Sequence, residues 1–393
     1  MGRGPACFAF ETFEQHGSLN LMTRLLLIIA LVAVPASSLP QTRAKNVVLF
    51  LADAGGIPAI NAASFHGYGA PRRLFLQRMP HIGLSDTSPA DSYVTDSAAG
   101  MTAIVTGQKT KNGMVSQSVD GQRKVADGRP LKTILEYAEE RGMSTGIITN
   151  DAVTGATPAA LYAKANDRGM TSSIYQQIFV PRFGDGPDVI IGAGRPAIAK
   201  ALVADNIDLD QWSTDRGRPA LKSLDDLDAK VARALVVMDD AAFDLQRAID
   251  ATVSILSRNP RGYFLMVEWD SHTDNVRRGL DRLVQLDQAI ERTAASTAGD
   301  TLILFTADHS FDIRLRGGDN RQPLLAGLEQ AEEQSRVEGR RDVRTRTISM
   351  ENSHTGEEVL VAAQGPGSER VQGYLANTDL FDIMMSALGL SGN

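Results

Sequence analysis

Cysteine is nearly missing: one residue, Cys7, in a chain of 393. That excludes a disulfide framework. Basic charge is not in excess either, with 40 Lys plus Arg against 47 Asp plus Glu for a net charge of −7. A nucleic-acid binder working through bulk positive charge is therefore excluded. No internal repeat is visible, and the apolar run Leu25–Val34 has ten residues, short of the roughly 20 that cross a bilayer as a helix. What is there is an ordinary globular composition, 43% hydrophobic and 22% charged with 35 Gly and 16 Pro, enough to bury a large core.

Met22-Thr23-Arg24 leads into the apolar run, which ends at Pro35, Ala36, Ser37 and Ser38. A basic start, a short apolar stretch and small residues read as a secretory signal over 22–36, with cleavage after Ala36. Glu11 and Glu14 make residues 1–21 unlike a signal's start, so Met22 is the expected natural beginning. Cleavage removes Arg3, Arg24, Glu11 and Glu14, leaving the charge balance unchanged, and it removes Cys7. Residues 37–393 are then expected to form one exported domain, periplasmic or secreted, stabilised by core and metals.

Strand-like apolar runs at Asn46–Ala52, Thr145–Thr149, Asp188–Ile191, Tyr263–Val267, Thr301–Thr306 and Val359–Ala363 alternate with helical patterns. The helices are expected at Leu131–Arg141, Ala159–Asp167, Ala241–Ser257, Gly279–Ala294 and Asn377–Leu388. Near-continuous apolar strands are covered on both faces, so the alternation predicts an α/β fold with a mostly parallel central sheet and helices on both sides. Gly184–Pro187 and the polar stretch Leu315–Arg346 read as surface excursions.

Ligands of such sheets bind beyond the carboxyl ends of the strands. Asp53 follows NVVLFLA, Glu268 follows YFLMV, and Asp308-His309 follows TLILFTA. A lone aspartate there is usually a turn former; three acidic strand ends point to a site. Of six histidines, His272, His309 and His354 stand beside carboxylate or hydroxyl residues, the donor set that suits zinc. Asp270 and His272, two apart in an extended segment, project to one side and can share an ion. His16, His66 and His81 have no such company and read as structural. Ser97, in Thr95-Asp96-Ser97-Ala98-Ala99-Gly100, stands where a small-residue helix begins, with Asp96 or Ser97 at its amino end. Free amides there favour an anion and a more acidic hydroxyl. No histidine is near it in sequence, so metal activation replaces a triad.

From Asn46 to Leu390 these residues resemble the alkaline phosphatases. Val94-Thr95-Asp96-Ser97-Ala98, Ala156-Thr157-Pro158-Ala159-Ala160 with Arg168 after it, Thr306-Ala307-Asp308-His309, His354-Thr355-Gly356 and Thr378-Asp379-Leu380-Phe381 match that family's motifs in order. The resemblance implies a phosphate monoesterase with two Zn2+ and one Mg2+, working through a phosphoserine at Ser97. It assigns one zinc to Asp53, Asp308 and His309, a second to His272, His354 and Asp270, and magnesium to Asp53, Thr157 and Glu268. Arg168 would clamp the phosphate, although along a continuous helix it would stand about 16 Å from Thr157. The implied partners are small phosphate monoesters, with no nucleic-acid surface, no membrane span and room for a homodimer.

Two positions depart from the family pattern. Glu268-Trp269-Asp270-Ser271-His272 is shorter than Glu-x4-Asp-x3-His, which leaves Asp274 as a competitor of Asp270. Gly155 stands where the family commonly has Asp or His near the magnesium. The rival readings are a phosphodiesterase of the same superfamily and an inactive exported metal- or phosphate-binding protein.

Overall fold

The computed structural model describes residues 43–228, 230–297, 299–319 and 321–390, so the expected signal segment lies outside the described residues. Among these residues no helix is long and apolar enough to cross a membrane. Strands β1 (Asn46–Asp53), β2 (His81–Ser85), β3 (Ser144–Ala152), β4 (Val189–Ala193), β5 (Ala220–Leu221), β6 (Ala234–Val237), β7 (Tyr263–Asp270) and β8 (Thr301–Thr306) come first. They are followed by β9 (Ser310–Leu315), β10 (Asp342–Arg344), β11 (Ile348–Thr355), β12 (Val359–Gln364) and β13 (Gly373–Leu375). Ten of them form one sheet in the order β13-β2-β12-β8-β1-β7-β3-β4-β6-β5. Every neighbouring pair is parallel except those of β12, which runs against β2 and β8.

The sheet centre is apolar on both sides because both sides are covered. Along β1 the side chains alternate: Val47, Leu49 and Leu51 enter one core cluster, Val48, Phe50 and Ala52 the other. Helices α1 (Ile57–Tyr68), α2 (Ser97–Thr106), α3 (Ile134–Glu140), α4 (Ala156–Tyr162), α5 (Leu245–Leu256), α6 (Val276–Ser296), α7 (Leu328–Val337) and α8 (Asp379–Ala387) include those that cover them. Residues of α2, α3, α4 and α8 pack in the first cluster, and those of α1, α5 and α6 in the second. Helix α6 shows the pattern best, burying Val276, Leu280, Leu283, Leu286 and Ile290 along one stripe, the period of an amphipathic helix. Each such side chain contributes roughly 1.5–3 kcal/mol relative to exposure.

The expected α/β architecture is present, with two local corrections. The helix expected over Ala159–Asp167 instead begins at Ala156 and stops at Tyr162. Ala165 leaves it to pair antiparallel with Val115, exchanging both backbone hydrogen bonds at 2.8 and 3.0 Å. The stretch Leu315–Arg346 is not a structureless excursion: it contains α7 and β10, and a small sheet β10-β11-β9 forms around it. Leu325, Leu328 and Val343 are buried in the second core cluster, so apolar residues in a polar stretch anchor it.

A buried carboxyl at the amino end of β3, opposite the acidic strand ends, gives the fold a pH dependence. Glu139 Oε2 accepts from the amides of Asp185 and Gly186, and Oε1 accepts from the Thr145 hydroxyl. Burial, reinforced by the charge of Asp185, pushes its carboxyl up from 4.5 to about 8. The folded value lies above the unfolded one, so Glu139 contributes most below pH 4.5 and that contribution is lost as pH rises to about 8. The slope for one proton is at most about 1.4 kcal/mol per pH unit. Glu139→Gln can keep all three partners, and denaturant titrations between pH 5 and 8 are expected to show a flatter stability profile than wild type. Parallel profiles would remove Glu139 as the cause.

Candidate active site

Parallel register delivers the acidic strand ends to one place. Asp53 pairs with Asp270 across β1 and β7, while Glu268 lies between Leu51 of β1 and Thr149 of β3. Asp308 and His309 fill the short turn between β8 and β9. The turn after β1 approaches them closely: a Cβ on Gly56 would stand 2.0 Å from Ser310 Oγ. Ala54 holds a left-handed φ of 66°, and its amide donates to Asp308 Oδ1 at 3.3 Å. A non-glycine residue in that region is strained, and the strain is found where the site is built.

Asp96 caps α2, and Ser97 is the first helical residue. Asp96 Oδ1 accepts from the amides of Ala99 and Gly113, both at 3.1 Å. Its Oδ2 takes Arg168 Nη1 at 3.1 Å, so one carboxylate both caps the nucleophile's helix and holds the arginine. The break after Tyr162 makes this possible, because the Arg168 amide then donates to the Gly113 carbonyl at 2.7 Å. Helix α2 also abuts the β8–β9 turn: a Cβ on Gly100 would lie 2.7 Å from the Asp308 carbonyl. Ser97 Oγ consequently stands 3.3 Å from His309 Nε2, a histidine 212 residues away.

The three histidines converge. His309 and His354 stack with centroids 4.0 Å apart, and His272 sits edge-on to His309 at 5.5 Å. His309 Nδ1 donates to the Ser310 carbonyl and His354 Nδ1 to the Thr95 carbonyl, both at 3.1 Å. Those bonds orient the rings and leave each Nε2 for another partner. The pairing of β11 with β9 brings His354 here, opposite Phe311, past an irregularity between Met350 and His354. His309 Nε2 is 3.2 Å from Asp53 Oδ1. His272 Nδ1 is 2.8 Å from Asp270 Oδ1 and 3.7 Å from Asp53 Oδ1.

The electrostatics are those of closely packed, buried charges. Burial disfavours the Asp53 carboxylate, but the hydrogen bond from His309 and the charges of His272, His309 and Arg168 outweigh it and hold Asp53 below the usual carboxylate range. Asp308 is pushed up to about 6 by burial and then by Asp53. Glu268 is raised well above its ordinary value by burial, then by Asp53 and Asp151. Burial opposes a charge on His309, yet Asp308 and Asp53 lift the imidazole to about 9. His354 falls to about 4 through burial and then the neighbouring His309.

Three buried oxygens, Asp308 Oδ2, Thr157 Oγ1 and Glu268 Oε1, have no hydrogen-bond partner, and buried Asp53 Oδ1 faces His309 Nε2 at 3.2 Å. Buried polar atoms are almost always partnered, and carboxylate and hydroxyl oxygens in this state suit a cation. Two groups have ligand atoms within 4.8 Å of one another: Asp53, Asp308 and His309, and His272, His309 and His354. Asp270 lies beside His272 but is also held by Arg282, whose Nη1 is 2.6 Å from Oδ2. Its competitor Asp274 is paired with Arg278 at 3.0 Å. Above these groups opens a cleft of roughly 540 Å3, whose walls include Asp53, Ser97, Arg168, Asp270, His272 and His354. Asp151 is also in that wall, a site residue the sequence reading passed over; it lies at the end of a strand like Asp53, and the same strand-end rule would have found it. Nothing local marked Arg282.

An α/β sheet whose strand ends gather carboxylates and imidazoles around a helix-initiating serine places residues able to ligate metal beside a hydroxyl, the arrangement of a hydrolase of the alkaline phosphatase superfamily. The sequence model described as "Alkaline phosphatase" matches residues 44–218 and 229–339. The chain belongs to the alkaline phosphatase family. It is 29% identical to streptomycin-6-phosphate phosphatase of Streptomyces griseus, over 92% of this chain and 96% of that one. It is also 29% identical to the tissue-nonspecific alkaline phosphatase of Felis catus, over 72% of this chain and 66% of that one, so it spans just under two thirds of the cat protein. The solved alkaline phosphatase from the Antarctic bacterium TAB5 shares the fold, with a TM-score of 0.71 at 24% identity, over 89% of this chain and 99% of that one.

Proposed function

We propose that the chain is an exported phosphomonoesterase that forms a phosphoserine at Ser97 and works with two zinc ions and one magnesium ion. The observation that carries this reading is the meeting of the Ser97 hydroxyl, the Asp96-held guanidinium of Arg168 and the Asp/His groups at one cleft. Asp53, Asp308 and His309 would hold one zinc, His272, His354 and Asp270 the other, and Asp53, Thr157 and Glu268 the magnesium. Both donor sets fit: imidazole with carboxylate for zinc, oxygen alone for magnesium. Bound there, the zinc pair would supply Lewis acidity at the attacking and leaving oxygens. Export is supported by the signal pattern at 22–36 and by the cysteine-free remainder.

The chain's own contribution follows from its geometry. Ser97 Oγ gives up its proton to solvent and attacks phosphorus; the bond to the ester oxygen breaks, and the alcohol leaves with a proton taken from solvent. Water then attacks the phosphoserine, the phosphorus–Oγ bond breaks, and phosphate and free Ser97 remain. Throughout, Arg168 offers two parallel N–H donors to non-bridging oxygens, aimed by Asp96.

Monoester preference is the test. A terminal phosphate presents two free oxygens to Arg168, whereas a diester fills one place with an ester group. A charge-assisted hydrogen bond contributes about 1.5–3 kcal/mol, so Arg168→Ala is expected to lower kcat/KM for an aryl phosphate by about 10-fold to 150-fold. Turnover of the matching bis-aryl phosphate should fall far less. Equal losses on both, or a wild type faster on the diester, would replace this reading with a diesterase.

A further inference from the structure

Position 155 is glycine although its backbone does not demand one, since φ −55° and ψ 159° are open to any residue. What crowds a side chain there is Asp151, together with the Ala152 carbonyl. A Cβ at 155 would lie 2.5 Å from Asp151 Oδ2 and 2.9 Å from the Ala152 carbonyl. The carboxylate of Asp151 therefore occupies the room a side chain at 155 would take, two residues before Thr157.

Gly155 is the N-cap of α4, the helix that carries Thr157. Thr157 Oγ1 and Glu268 Oε1 are buried without hydrogen-bond partners, and Asp53 is buried against His309. The Asp151 amide donates to Thr149 Oγ1 at 2.8 Å, and that hydroxyl donates to Glu268 Oε2, so one bridge ties the backbone of Asp151 to Glu268. The negative charge of Asp151 is felt at Glu268, and those of Asp53 and Asp270 at Asp151. Three carboxylates, the buried Asp53 and Glu268 and the more exposed Asp151, thus act on one another electrostatically, and the oxygen donors Asp53, Asp151, Thr157 and Glu268 include no imidazole. Such a set favours a hard dication over zinc, and a hard dication takes about six or more oxygens, more than Asp53, Thr157 and Glu268 supply.

We propose that Asp151 is a further residue of the hard-cation site, its carboxylate closing the oxygen shell, directly or through one water, from the space that Gly155 leaves open. The inference rests on the magnesium reading above. It assigns Gly155 and Asp151 as a reciprocal pair: one position yields the volume, the other the charge.

The experiment uses zinc-loaded full-length protein and reads Mg2+ binding by calorimetry, zinc per chain by elemental analysis and the fold by thermal unfolding. Wild type is expected to bind Mg2+, and Asp151→Ala to bind it about 10-fold to 100-fold more weakly, the usual cost of losing a supporting ligand, with zinc content and Tm unchanged. The swap Asp151→Ala with Gly155→Asp, which returns a carboxylate to the same space from the other position, should regain most of that affinity. Unchanged Mg2+ affinity in Asp151→Ala overturns the inference alone. So does a joint loss of zinc and magnesium, or a swap as weak as the single variant. A wild type that takes up no Mg2+ overturns the magnesium reading and this inference with it.

Discussion

Ser97→Ala is expected to lose the covalent intermediate entirely and to lower turnover on the order of 1,000,000-fold, the scale seen when a serine nucleophile is removed while the rest of a site stands. Only the hydroxyl is lost. Its one side-chain contact is His309 Nε2 at 3.3 Å, while the cap from Asp96 to the Ala99 amide is untouched. Arg168 stays on Asp96, so phosphate binding should survive and the residual rate should come from water attacking a bound ester. Acid quenching of wild type with labelled substrate should trap phosphate on Ser97, and the variant should trap none. Label recovered on another residue, or a variant keeping more than about a tenth of the rate, a loss of less than about 1.4 kcal/mol in barrier, would remove Ser97 from its role.

Metal removal should be as severe, and it should cost stability as well as rate. Asp53, Asp308 and Glu268 are buried together, and a buried carboxylate without a counter-charge is expensive. A cation bound at about a thousand times its Kd stabilises the folded chain by about 4 kcal/mol. Chelator treatment followed by dialysis is thus expected to abolish hydrolysis and lower Tm, and added Zn2+ should restore both. Mg2+ alone should not restore turnover, because the two groups that include His309 carry imidazole and favour the softer ion. Full activity in protein shown by elemental analysis to hold no metal would overturn the metal-dependent reading.

Much of this was open to reading because the relevant physics is local. The run NVVLFLA can only be a strand buried on both faces, and β1 spans Asn46–Asp53 with every residue buried. The reading that Asp96 or Ser97 begins a helix follows from capping, and the structure resolves it with Asp96 as the cap. Acidic residues at strand ends mark the ligand side of a parallel sheet whatever the strand order. Composition could not show α1, whose start depends on the tight Gly55-Gly56 approach to Ala52 and Ser310. Nor could it show that the polar stretch around α7 is anchored by Leu325, Leu328 and Val343.

By itself, then, the sequence determined the α/β class, the strands that carry Asp53, Glu268 and Asp308, and the helix that begins at Ser97, because hydrophobic period and capping act over a few residues. Tertiary structure alone decided who meets whom. Strand register set Asp53 beside Asp270, the β9–β11 pairing carried His354 to His309, the break after Tyr162 turned Arg168 back to Asp96, and Gly155 left room for Asp151. These contacts join residues as far apart as the 259 positions between Thr95 and His354. Their partners are chosen by packing and by the burial of charge, which no local pattern encodes.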